Sequence, residues 1–170
     1  EDLALQVLID FASQNNLPIE ITNASGTYNP LNYSDIETFT NDVLRTTGAN
    51  DLINYNNTTI IDINSVIAGD LLVERKNGTI GNHVQLTRIV TDQSIYTIQG
   101  NANWLSSIPG SSRFLYASNP KSPFYCGSSL TYGRIVKLTG NYYNFSTSRF
   151  VNNYILNYNT IGVRWNFKKW

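Results

Sequence analysis

The chain reads as one α+β domain, N-terminal helices packed on a mainly antiparallel sheet. Three observations predict this. Up to about Gly48 the apolar residues recur at helical spacing. Beyond it they alternate in short runs, as half-buried strands do. The turns between the central runs are too short for the crossover that parallel strands require. At 170 residues the chain can bury a core of its own, so 1–170 is taken as a single domain.

The elements follow in order. In EDLALQVLIDFASQNNL, Leu3, Val7, Leu8 and Phe11 share a helical stripe, and the acids sit in the first turn. PIEIT alternates like a short strand, and NASGTYNP reads as a loop. SDIETFTNDVLRTTG predicts a second helix over 34–47. Ser34 and Glu37 fit a capping box, Ile36, Phe39, Val43 and Leu44 form the apolar stripe, and Gly48 fits a C-cap. DLLVER, HVQLTRIV and IYTIQGN then form an antiparallel meander with turns at KNGT and TDQS. RFLYA, GRIVKLT and GVRWNF are further strands, making five or more, and SRFVNNYIL fits a short helix.

Composition narrows the function. Twelve basic and twelve acidic residues cancel, which argues against a nucleic-acid or anionic-membrane partner. No apolar run approaches the roughly 20 residues a membrane helix needs. With no Met, a start at Glu1 and no visible signal peptide, a processed chain or a fragment is expected. One Cys and one His exclude an internal disulfide framework and Cys- or His-rich metal sites, so no metal or cofactor is expected. The sequons at Asn23, Asn57, Asn77 and Asn144 are what an Asn-rich chain produces by chance. Phe124, Tyr125, Tyr132, Tyr142, Tyr143, Trp165 and Trp170 fit a core or half-buried sheet role better than a glycan groove.

The single histidine opens a strand. His83, Gln85 and Thr87 share its polar face, while Val84, Leu86 and Val90 share the apolar one. A three-residue loop at 91–93 would pair position 90 with 94. That register sets His83 opposite Asn101, with Gln99 diagonal on the same face. A two-residue loop would present the apolar face instead. An amide beside an imidazole fixes its tautomer and orientation, as the third member of a catalytic triad does. The plain alternative is a hydrogen-bonded surface histidine.

The run GDLLVE, GNHVQLTRIV and IYTIQGN resembles the central hairpins of CHAP and NlpC-type cysteine peptidases and amidases. The resemblance covers roughly residues 30–103 and carries over to Gly69, Asp70, His83, Val84 and Gln99 or Asn101. It implies a papain-like core, His83 as base and Gln99 or Asn101 as its orienting partner. It departs at Asn82, where a small Gly is usual, and at the nucleophile, where Ile36 stands at the family's Cys position in DIETF.

Two substitutes remain open. Ser34, with Asp35 beside it as a possible acid or base, opens a helix in the family's chain order; its ordinary role is an N-cap. Cys126 suits a permuted arrangement, although CGSSLTYGR reads as a loop into a strand rather than a helix start. On the first option the helix N-terminus points at the His83 strand, and Ser34→Cys creates activity. The resemblance implies a peptidoglycan amidase or endopeptidase, with the toxin domain of a secreted effector as one setting for it. It would act on peptidoglycan or peptide, work outside the cell or in the envelope or periplasm, and meet an inhibitor or immunity protein. A catalytically inactive module of the same fold, binding glycan, peptide or a protein partner, is the alternative.

Overall fold

The computed structural model describes residues 2–77, 79–101, 129–137, 143–147, 154–156 and 160–166. Over these residues it is a mixed α+β fold built on an antiparallel sheet of eight strands. Helix α1 (Asp2–Gln14) buries Ala4, Leu5, Leu8, Ile9 and Ala12, the stripe that its helical periodicity requires. A two-stranded hairpin follows, β1 (Ile21–Asn23) with β2 (Gly26–Tyr28). The loop expected over NASGTYNP is therefore half strand.

Helix α2 spans Ile36–Thr46, and its N-cap is Asp35 rather than Ser34. The Asp35 carboxylate accepts from the Thr38 N–H at 2.7 Å. An anion satisfies that orphan donor and the helix dipole better than a neutral hydroxyl does. Gly48 is not the C-cap. Thr47 closes α2 by donating its N–H to Val43 O, and Gly48 opens α3 (Ala49–Asn54), its N–H held by the Asp51 carboxylate. Asn57, fully buried, accepts from the Thr22 N–H and donates to Thr22 O and Asp51 O, pinning α3 to the small hairpin. Asn23 is buried too and donates to the Thr46 and Thr47 hydroxyls. The sequons at Asn23 and Asn57 are thus consumed inside the fold.

The large sheet contains β3 (Thr58–Ile61), β4 (Leu71–Lys76), β5 (Ile80–Val90), β6 (Ser94–Asn101), β7 (Ser129–Lys137), β8 (Tyr143–Thr147), β9 (Tyr154–Leu156) and β10 (Thr160–Trp165). The order is β3-β10-β4-β5-β6-β7-β8-β9, so the last strand inserts between β3 and β4. Part of the expected helix SRFVNNYIL is strand β9; RFLYA lies outside the described residues.

One face of the sheet carries the helices. Leu71, Val73, Val84, Val163 and Trp165 join Leu5, Leu8, Phe39, Val43 and Leu52 in the main core. The backbone of α3 comes so close to β5 that a Cβ on Gly81 would stand 2.5 Å from the Ala49 carbonyl oxygen. The opposite face holds a smaller cluster of Val66, Leu72, Ile95 and Ile135. Gly69, at φ +94°, turns the chain into β4, a conformation that suits glycine. Asp70 follows and locks the turn. Its carboxylate takes the Arg164 guanidinium twice at 2.8 Å and the Ile67 N–H at 2.7 Å. The Gly-Asp pair therefore ties β10 to the entrance of β4.

Candidate functional site

A β-bulge positions His83. Arg75 pairs with Gly81 and Glu74 with His83, leaving Asn82 as the extra residue. Gly81 consequently faces α3, and His83 faces the other side of the sheet with Glu74. The next residue, Val84, lies in the helix-side core, as strand alternation demands. Asn82, the extra residue of the bulge, is thus what re-aims the imidazole.

The turn between β5 and β6 is one residue longer than expected. Val90 pairs with Ile95, and the Thr91 N–H donates to Ser94 O at 2.8 Å. A second irregularity at Arg88 then shifts the register, so that Thr87 meets Thr97 and Leu86 meets Ile98. Longer turn and bulge cancel. Gln99 ends diagonal to His83, and the imidazole Nε2 lies 2.7 Å from Gln99 Oε1. An amide oxygen only accepts, so Nε2 is the nitrogen that donates to Gln99. Asn101 closes β6 and pairs with Ser129 of β7; its side chain lies outside the described residues.

Around this pair runs a polar row that the alternation marks and the burial defines. Gln85, Thr87 and Thr97 share the His83 face, and all three are buried. The Thr97 hydroxyl donates to Gln85 Oε1 at 2.9 Å. Thr87 Oγ1 is buried with no hydrogen-bond partner among the described residues. The sequence signal for Thr97 and Glu74 was their strand parity with Gln99 and His83.

The remaining candidates fall elsewhere. Ser34 and Asp35 are exposed at the start of α2, in the helix layer, with the sheet between them and the His83 ring. Ser34 Oγ donates to the Asp35 carboxylate at 2.8 Å. That bond and the Thr38 N–H, the larger cause, hold the Asp35 carboxyl below the ordinary carboxylate range. Both residues serve the helix cap, and the structure does not bring them to the imidazole. Cys126 lies outside the described residues. A cavity of about 330 Å³ between α1 and α2 is lined by Gln6, Asp10, Ile36, Glu37, Thr40 and Asn41 among others. It too belongs to the helix layer and does not include His83. No group of three metal-ligating side chains occurs among the described residues, and no helix there is long and apolar enough to cross a membrane.

Comparison with protein-family models, with curated proteins and with solved structures finds no match for this chain.

Proposed function

We propose that the chain is a non-hydrolytic recognition module that binds a polar glycan or peptide across the His83–Gln99 face of its sheet. Peptidoglycan is the first ligand to try, because the GDLLVE and GNHVQLTRIV hairpins resemble those of papain-like cell-wall hydrolases. The observation that carries the reading is the placement of His83. Its ring is held by Gln99 on the face turned away from the helices, whereas the helix-start candidates Ser34 and Asp35 stand in the helix layer. A papain-like cleft needs a nucleophile within about 4 Å of the imidazole. Imidazole, amide and carboxylate groups at His83, Gln99 and Glu74 provide hydrogen-bonding chemistry suited to sugar hydroxyls or peptide amides.

The test is co-sedimentation with purified sacculi, run beside an assay for released muropeptides from about pH 5 to 9, where an imidazole base works. Binding without release is expected. His83→Ala and Gln99→Ala should weaken binding by about tenfold each, as loss of a central contact does. Ser34→Cys should stay inactive.

A hydrolase is the second reading, and one observation favours it: Gln99 accepts from Nε2, which orients the ring so that, in its neutral form, Nδ1 is the basic nitrogen. That reading describes an envelope-directed amidase or endopeptidase on a papain-like core, restrained by an inhibitor or immunity protein. Release of muropeptides by the unmodified protein, abolished in Cys126→Ala and His83→Ala, would establish it and overturn the binding module.

A further inference from the structure

Beyond the helices, the helix-side face of β5, β6 and β7 carries exposed side chains among the described residues. Tyr96, Tyr132 and Arg134 face this side, together with Ile89, by their pairing with one another and with Leu86 and Ile98. The Arg88 guanidinium lies over the Tyr132 ring at 5.1 Å, and that of Arg134 over the Tyr96 ring at 5.7 Å. Arg134 is further steadied by Ser94 Oγ, 3.3 Å from its Nε and Nη2. Arg88 and Arg134 are exposed, and so are half of Tyr132 and half of Ile89 (49% and 51%). Strands β5 to β8 contain Arg88, Arg134 and Lys137 but no Asp or Glu, although the whole chain is neutral.

We propose that this Arg88–Tyr132 and Arg134–Tyr96 surface docks an acidic protein partner, independently of the His83 face. Charge supplies the first argument: the cations of this face, Arg88 and Arg134, stand on strands that contain no Asp or Glu, with Lys137 on the opposite face beside Ile135, so a carboxylate-rich surface complements them. Pre-organisation is the second. Each guanidinium is seated on a ring before a partner arrives, so Arg88 loses less side-chain freedom on pairing with a carboxylate. Composition is the third. Exposed Tyr, Arg and Ile in one patch match the residue types of protein interface cores. A nucleic acid fits less well, because base stacking needs free ring faces and the guanidiniums occupy them. High affinity for a phosphate backbone would also require more cations than this patch provides.

The probe is a fluorescein-labelled poly-L-glutamate chain, read by anisotropy at about 20 and 200 mM salt, with oligo-dT and heparin as competing polyanions. Binding at low salt is expected, weakening at the higher salt as the Debye length shortens. Arg88→Glu should reduce affinity at least about tenfold, Arg88→Lys and Tyr132→Ala less, and His83→Ala not at all. Circular dichroism melts of each variant separate a lost contact from a lost fold. No binding of poly-L-glutamate, equal binding by wild type and folded Arg88→Glu, or tighter binding to oligo-dT or heparin would each overturn the proposal. Sacculus binding that survives Arg88→Glu leaves the His83 reading standing on its own.

Discussion

The two faces of the large sheet obey different rules. On the helix side, Leu71, Val73, Val84 and Val163 are 0–3% exposed and pack among α1, α2 and α3. On the other side a small apolar cluster around Leu72 and Ile135 gives way to Gln85, Thr87 and Thr97, buried but polar, and then to the His83–Gln99 pair. Burying apolar surface favours folding by roughly 25 cal/mol per Å², and a buried polar group at best breaks even against its lost hydration. The helix side therefore supplies the stability. The polar row adds little to it.

The strongest way to break this contrast is to empty the helix side. Phe39 is fully buried and meets Tyr33 edge-on, ring centroids 5.4 Å apart. Phe39→Ala should cost about 3–5 kcal/mol in urea unfolding. A loss below about 1 kcal/mol would mean that α2 is not integral to the core. Next comes the clasp at the edge of the polar face. Asp70→Ala removes the acceptor for Arg164 and for the Ile67 N–H. Such a loss is worth about 1–3 kcal/mol. The same unfolding measurement should rank it clearly below Phe39→Ala, with hydrogen exchange in β10 accelerated.

Much of this architecture is legible in the sequence, and the exceptions have physical reasons. The stripes of α1 and α2 and the short turns of the meander identify those elements, because local periodicity specifies them. Helix α3 is six residues long and depends on distant contacts, Gly81 beneath its backbone and Asn57 at its end. No local pattern announces it. The insertion of β10 between β3 and β4 is a long-range pairing of the same kind. The His83–Gln99 neighbourhood was reachable for a subtler reason: the extra turn residue and the bulge at Arg88 offset each other. Alternation also held a signal against the helix-start nucleophile. Val84 belongs to the apolar face that the helices must cover, so the adjacent His83 had to point away from them.

The polar row offers a gain rather than a loss. Thr87 Oγ1 is buried and unpartnered among the described residues, and the residue is 2% exposed. Thr87→Val keeps the β-branched shape and removes a hydroxyl that gave up water for nothing. It should stabilise the fold by up to about 1 kcal/mol. A destabilised Thr87→Val protein would show that the hydroxyl has a partner in solution. Sacculus binding that also falls would make that partner a ligand or its ordered water.

The smallest effect lies at the rim of the helix layer and appears only in acid. The Asp35 carboxyl is held below its ordinary range, first by the Thr38 N–H and then by the Ser34 hydroxyl. A carboxyl whose folded pKa is depressed contributes stability above its unfolded value, about 3.9, and loses it as pH falls through the folded value. Asp35→Ala should therefore lower the melting temperature slightly at neutral pH and flatten its fall below about pH 4. Ser34→Ala, which removes only the second donor, should do the same more weakly. Both variants should leave binding at the His83 face untouched, since the sheet separates them from it. A change in sacculus affinity with either substitution, at neutral pH and with the fold intact, would mean that the two sides of the sheet work as one site.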